Sequence, residues 1–301
     1  MRYLVTGVTG QLGYDVVRVL KENGITNIYA PTSSEFDITN KEIVVSKTKE
    51  FNPDVIIHCA AYTKVDQAEI DTDTCYKVNV IGTKNMTEAA KEVDAKIIYI
   101  STDYVFDGEK KGAYLVDDKT NPKSIYGKTK LEGEEIVSSY LKHFIVRISW
   151  VFGINGNNFV KTMLNLSKTH KELTVVADQI GSPTYTYDLA KLLYDMSKTT
   201  KYGTYHATNE GIYSWADFAR LILKDKDTKV IDVTTLEYQK MTNKNQAPRP
   251  KNSLLDKEKL VANGFCKLPP VNDAIERYLR ELEKKRSVVI MLLLLPFYLL
   301  L

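Results

Sequence analysis

The stretch G-V-T-G-Q-L-G, Gly7 to Gly13, constrains this chain more than any other. It follows directly on an apolar run, R-Y-L-V-T, and leads into a helical pattern. Glycines three apart let a strand turn sharply into a helix, bring backbone close to an anion, and pack the helix tightly on the strand. The helix N-terminus then faces a phosphate. Strand before and helix after, rather than the glycines alone, make this a dinucleotide-binding signature.

The rest of the first 150 residues repeats that alternation. Short β-branched runs at Arg2 to Thr6, Asn27 to Ala30, Asp54 to Cys59, Lys96 to Ser101 and Phe144 to Ser149 predict strands. They are apolar almost throughout, as strands covered on both faces are. Between them, helical patterns run near Gln11 to Asn23, Asn40 to Phe51, Thr74 to Glu92 and Ser124 to Leu141. The implied architecture is α/β, a Rossmann-type doubly wound parallel sheet. After Trp150 the rhythm changes to a Gly/Asn loop, G-I-N-G-N-N, a helix from about Phe159, a short strand L-T-V-V, helices near Tyr187 and Ser214, and a final helix from near Val271. The division expected is a dinucleotide-binding domain over 1–149, whose sheet later segments can rejoin, a smaller mixed α/β substrate-binding lobe over 150–286, and an apolar tail over 287–301.

A formal charge of +3, from 41 basic and 38 acidic residues spread evenly, leaves no footprint for nucleic acid and favours small-molecule partners. Cys59, Cys75 and Cys266 are an odd number without metal-ligand spacing, so no metal site is read from them. With no secretory signal ahead of the first strand, a reducing cytoplasm is the expected compartment. The tail departs from this picture. Lys284, Lys285 and Arg286 precede an apolar run from Ser287, which as a helix reaches about 22 Å against a hydrocarbon core of roughly 30 Å, and Pro296 interrupts it. A shallow membrane contact, an appendage without structure and a sequence artefact all remain open for it.

A second motif, S-I-Y-G-K-T-K, places Tyr126 and Lys130 four apart, on one helix face with a rise of about 6 Å between them. In isolation this is an ordinary solvated helix face. Downstream of the glycine loop it resembles the Y-x-x-x-K acid/base pair of the extended short-chain dehydrogenase/reductase superfamily, which also shares the G-x-x-G-x-x-G spacing. Four more stretches narrow the match: C-A-A-Y-T-K-V-D-Q-A-E from Cys59, S-T-D-Y-V-F-D-G from Ser101, S-W-V-F-G from Ser149 with the following G-N-N-F-V-K-T-M-L, and D-Q-I-G-S-P-T from Asp178. Together they resemble the dTDP-4-dehydrorhamnose reductase family from Met1 to about Leu282; the apolar tail lies outside the likeness.

The resemblance implies a cytoplasmic NADPH- or NADH-dependent reduction of a dTDP-linked 4-keto sugar. Tyr126 is implied as proton donor, with Lys130 lowering its pKa and bonding the nicotinamide ribose, and Thr102 as hydrogen-bond donor to the carbonyl. It implies cofactor contacts from Gly7, Gly10, Gln11, Leu12, Gly13, Asp37, Ala60, Ala61 and Tyr62, besides Tyr126 and Lys130. Substrate contacts fall to Thr102, Asp103, Trp150 and Arg249. Asn79 is expected to support the strands beneath the site. Sugar-nucleotide dehydratases carry Asp-Glu after the equivalent threonine, whereas here Asp103 and Tyr104 follow Thr102, which removes the base that dehydration needs. A position about 20 residues past the loop that would select NAD by an acid or NADP by an arginine holds Thr32, Ser33 and Ser34 instead, so the preference stays open. Magnesium at a dimer contact is known among such enzymes, but Asp15 alone does not establish it; a homodimer is a further possibility. Two other readings stand beside this one: a related sugar-nucleotide reductase or epimerase, and a non-catalytic nucleotide-binding subunit.

Overall fold

The computed structural model describes residues 1–242 and 247–298, with side chains of the last helix described as far as 285. Strand β1 (Tyr3–Thr6) turns through the glycine loop into helix α1 (Gln11–Glu22). The chain then passes to β2 (Ile28–Tyr29) and helix α2 (Lys41–Phe51) before returning to β3 (Val55–His58) on the other side of β1. Short helices α3 (Val65–Ala68) and α4 (Thr72–Tyr76), a π-helical stretch at Lys77–Gly82 and α5 (Thr83–Glu92) lead to β4 (Lys96–Thr102). Helix α6 (Ile125–Ser138) connects to β5 (His143–Ile148), and the strand Gly203–His206 adds a parallel sixth member beyond β5. All neighbours in this sheet are parallel. Because β2 and β3 flank β1, the connections on either side of it leave towards opposite faces. That reversal opens a crevice at the carboxyl ends of the strands, where a ligand can enter.

Period-two alternation sorts the strands' side chains between two cores. Tyr3, Val5, Ile57, Ile98, Phe144 and Val146 meet α1 and helix α8 (Thr186–Ser197) on one face. Leu4, Ile56, Ile97, Tyr99 and Ile145 meet α2, α5 and α6 on the other. A third core gathers Phe152, Tyr185, Phe218, Ile275 and Tyr278 beneath helices α7 (Phe159–Leu166) and α9 (Trp215–Ile222) and the C-terminal helix Val271–Tyr298. The strand expected at L-T-V-V is Glu172–Val176, and it pairs in parallel with Lys229–Val233 in a small separate sheet.

The helix expected near Thr74 to Glu92 runs without a break from Thr72 to Glu92 and widens to a π-helical stretch at Lys77–Gly82, where Asn79 spends its amide on neighbouring elements. Its Oδ1 accepts from Tyr62 N at 2.8 Å, and its Nδ2 donates to Tyr62 O at 3.2 Å and Thr129 Oγ1 at 3.0 Å. It therefore ties the loop after β3 to α6, rather than bracing strands. No helix among the described residues is long and apolar enough to cross a membrane. The anchor reading of 287–301 rests on side chains outside the described residues.

Helix α6 is fixed to the sheet by a buried ion pair. Arg147 on β5 meets Glu134 on α6 in two parallel bonds of 2.9 and 2.7 Å, and its remaining nitrogen reaches Val116 O at 2.9 Å. The side chains are 7 % and 6 % exposed. Breaking such a pair leaves a buried charge uncompensated, whereas replacing both partners with apolar residues removes the problem. Arg147→Met is expected to lower stability by about 3–5 kcal/mol in urea unfolding, and Arg147→Met with Glu134→Leu to recover most of that loss.

Candidate active site

The glycine turn is built on close approach. Gly7 takes φ +70°, and a Cβ there would sit 2.7 Å from Ala60 N, so no side chain fits between the loops after β1 and β3. A cleft of about 660 Å³ opens at this end of the sheet. Gly7, Gly10, Gln11, Leu12 and Gly13 line it from the first turn, Ser33 and Asp37 from beyond β2, and Ala60 and Ala61 from beyond β3. Asp37 is exposed, and its Oδ1 accepts from both the backbone and the hydroxyl of Thr39.

Thr102, Asp103, Tyr126, Lys130 and Trp150 line the same cleft. Thr102 and Asp103 stand at the carboxyl end of β4, where the chain turns through Asp103–Val105. Tyr126 and Lys130 lie in the first turns of α6, whose N-cap Ser124 accepts from Gly127 N at 3.1 Å. The glycine inside Y-G-K-T-K has its own reason: a Cβ at Gly127 would fall 2.3 Å from Tyr104 O, so only glycine lets α6 close on the turn that carries Thr102. The Tyr126 ring meets Tyr104 edge-on at 5.4 Å.

Burial dominates the electrostatics of the pair. Burial is the largest influence on Tyr126 and raises its pKa; Thr102 lowers it and Asp103 raises it further. Burial also pushes the Lys130 ammonium down to about 7, partly opposed by Glu134. Its Nζ sits 3.9 Å over the Tyr99 ring. Without an anionic ligand in the cleft, then, the lysine is a cation held where a cation is costly. Asp103 is pushed up to about 6, chiefly by burial, against the hydroxyls of Ser253 and Thr102. Thr102 Oγ1 donates to Asp103 Oδ1 at 2.9 Å, so its single proton is engaged with the carboxylate rather than aimed at open space.

Trp150 adopts φ +49°, unusual for a bulky residue. Its indole stacks on Trp215 at 3.7 Å and 11°, and packs against Gly181, where a Cβ would lie 2.7 Å away. Two of the expected contact residues stand outside the cleft lining. Tyr62 is not among the lining residues; Asn79 holds its backbone, and its hydroxyl interacts with Asp71. Arg249 does not line the cleft either, because its fork grips Asp66 on α3, at 2.8 and 3.0 Å. Sequence reasoning also missed Ser253, whose hydroxyl donates to Asp103 Oδ2 across 150 positions of chain, and no local pattern marks it.

The carboxylates near Asp15 do not fit a divalent ion. Asp15 is buried, accepts from Thr186 and lies 3.8 Å from the Arg18 guanidinium, which also pairs with Glu22 and Glu281. The chain's own cation serves all three acids. Among the described residues no group of three or more His, Cys, Asp or Glu could hold a metal ion.

A family model described as "RmlD substrate binding domain" matches residues 1–284. The dTDP-4-dehydrorhamnose reductase of Aggregatibacter actinomycetemcomitans is 45% identical over 274 residues, covering 86% of this chain and 92% of that protein. The enzyme of the same name from Escherichia coli (strain K12) is 36% identical over 302 residues, with 94% and 98% covered. A crystal structure of dTDP-4-dehydrorhamnose reductase from Bacillus anthracis in complex with NADP superimposes with a TM-score of 0.89 at 43% identity, covering 93% of this chain and 99% of that one. With the glycine turn, the Thr102, Tyr126 and Lys130 constellation and this likeness along nearly its whole length, the chain belongs to the dTDP-4-dehydrorhamnose reductase family of the extended short-chain dehydrogenase/reductase superfamily.

Proposed function

We infer that this protein is an NAD(P)H-dependent reductase that converts the 4-keto group of dTDP-4-dehydro-6-deoxy-L-mannose to the alcohol of dTDP-L-rhamnose. One observation carries the reading of the site: Thr102, Tyr126 and Lys130 line the same cleft as the glycine turn, at the carboxyl ends of the strands. The relatives named for this reaction, and the NADP held by one of them, support the choice of substrate and cofactor.

When bound, the reduced nicotinamide supplies the hydride that reaches C4 of the sugar. The chain's own residues handle the other half of the reaction. Tyr126 donates its proton to the oxygen developing on C4, so that the ketone leaves as an alcohol. Its high pKa keeps the phenol protonated in the resting site. An anionic cofactor beside Lys130 favours the ammonium over the amine and so restores the positive charge that eases proton release from Tyr126. Thr102 orients the same oxygen, and the proton it now gives to Asp103 becomes available when Asp103 is itself protonated. Trp150, held by its stack on Trp215, walls the sugar side of the cleft. Residues 150–286 act as the substrate-binding lobe, and Arg249 reaches the substrate diphosphate by exchanging Asp66 for it. The hydroxyl-bearing Thr32, Ser33 and Ser34 leave both NADH and NADPH acceptable.

Incubation of purified protein with reduced cofactor and the dTDP-linked 4-keto sugar, followed by identification of the product, tests the assignment; recovery of unchanged keto sugar with no cofactor oxidised rejects it. Tyr126→Phe is expected to lower kcat by roughly 10² to 10⁴, with little change in cofactor affinity, since only the proton donor is lost. A wild-type rate in that variant contradicts the role given to the phenol.

Lys130→Met has two expected effects of opposite sign. In the cofactor-free protein Lys130 has a depressed pKa, so between about 7 and its unfolded value of about 10.4 the unfolded chain binds the extra proton and stability rises with pH. Removing the ammonium abolishes that rise and stabilises the protein most on its acidic side. Cofactor affinity, which draws on the ammonium, falls as pH rises through about 7 in the wild type and loses this slope in Lys130→Met. Urea midpoints and cofactor titrations across pH 6 to 9, about the range bracketing that titration, read both effects.

A further inference from the structure

The loop G-I-N-G-N-N, Gly153 to Asn158, comes from the lobe that follows β5, yet its side chains reach the first turn of the molecule. Asn155 Nδ2 donates to Thr9 O at 2.8 Å and to Gly10 O at 3.2 Å. Asn158 Nδ2 donates to Gln11 Oε1 at 3.0 Å and to Gly153 O at 2.8 Å, while its Oδ1 caps α7 by accepting from Lys161 N. From below, Lys161 Nζ holds the loop's own carbonyls, donating to Ile154 O at 2.9 Å and Gly156 O at 2.6 Å. Gly156 and Asn157 line the cleft together with Gly10 and Gln11.

These contacts have a chemical consequence for an anion. The carbonyl oxygens of Thr9 and Gly10 are the wrong sign to face a diphosphate, and Asn155 covers both with donors. In a trans peptide the C=O and the following N–H point oppositely, so tethering Gly10 O also fixes the direction of Gln11 N–H, one of the unpaired donors that open α1. The Gln11 side-chain amide is set in the same way. With Oε1 taken by a donor from Asn158, its NH₂ end is left as the free group. The lysine ammonium, bonded only to loop carbonyls in these contacts, adds positive charge beneath the same loop.

We propose that residues 153–158 form the second half of the cofactor diphosphate site, a clasp in which Asn155 and Asn158 are positioning residues that hold the glycine turn and Gln11 with their donors presented to the anion. This rests on the reading of the cleft as a dinucleotide site. Asn155 acts through the backbone of Thr9 and Gly10 and leaves the chemistry at Tyr126 alone.

Titration of NADPH fluorescence against wild type, Asn155→Ala, Asn155→Ser and Asn155→Asp tests it, alongside thermal midpoints and steady-state kinetics at saturating cofactor. Two lost hydrogen bonds predict a rise in the NADPH Kd of about tenfold for Asn155→Ala. A smaller rise is expected for Asn155→Ser, which keeps a donor, and a larger one for Asn155→Asp, which sets a carboxylate against two carbonyls and the diphosphate. The keto-sugar KM and kcat at saturating cofactor stay unchanged. A wild-type Kd in Asn155→Ala overturns the clasp. So does a Kd, sugar KM and thermal midpoint that deteriorate together, because that pattern belongs to a loop needed only for folding. If Asn155→Ala does not fold, Asn155→Ser decides: a Kd raised above wild type at an unchanged thermal midpoint supports the clasp and a wild-type Kd overturns it. Failure of the wild type to bind either NADPH or NADH is a different result, and it rejects the dinucleotide reading itself.

Discussion

A lysine ammonium held inside the protein is the constraint around which the rest of the structure is arranged. Lys130 is 2 % exposed, over a tyrosine ring, and Glu134, the carboxylate one helical turn further on, is committed to Arg147. Desolvation pushes the amine towards its neutral form, so a charge on it is costly there. Such a site cannot be built on a loose helix. The Arg147–Glu134 pair, the close contact of Gly127 with Tyr104 and the Asn79 bonds to Thr129 each fix α6 against a different neighbour. Conformational freedom at any of them would loosen the packing that keeps Lys130 from water.

Much of the fold could be read from the order of residues because both of its periodicities are local. Runs such as V-I-I-H and K-I-I-Y-I are short, β-branched and apolar on successive residues, as strands covered on both faces are, and all five N-terminal strands lie where those runs occur. The sixth strand, G-T-Y-H, was not legible. Its four residues carry two polar side chains that are nevertheless involved with the protein: His206 is buried beside Arg147 and bonded to Asp256 O. Its place in the sheet is set by β5 and by the segment around residue 256, contacts that no window of sequence contains. The π-helical stretch escaped for a related reason. V-N-V-I-G has helical periodicity, and the wider turn there accompanies the bonds Asn79 makes to the loop after β3 and to α6, contacts that no local window contains.

The site divides along the same line. Gly7, Gly10, Gly13, Tyr126 and Lys130 all line the cleft, where the spacing of their motifs puts them: a turn that only glycine allows, and one face of a helix. Arg249 shows the limit of that reasoning. Its chemistry suits a diphosphate, but the guanidinium satisfies itself on Asp66, which stands 183 residues earlier and offers the same bidentate geometry a phosphate would. Residue type alone cannot distinguish a free fork from an engaged one. Ser253 and Asn155 were invisible for the opposite reason, being small polar residues in loops whose only distinction is the distant atom they touch.

Those distant contacts share a direction, and it bears on how the cleft works. Ser253 reaches Asp103, Asn155 and Asn158 reach the glycine turn and Gln11, and Trp215 backs Trp150. In each case a residue from the later part of the chain sets the orientation of a cleft residue supplied by, or directly following, the Rossmann-type sheet. Tyr126 and Lys130 themselves sit on α6, packed against the sheet, while Asp103, the glycine turn and Trp150 draw these partners from segments beyond residue 150. The Asp103 carboxylate is held by hydroxyls from two distant parts of the chain, Thr102 on one side and Ser253 on the other; burial raises its pKa and both bonds oppose that rise, so losing either donor raises it further.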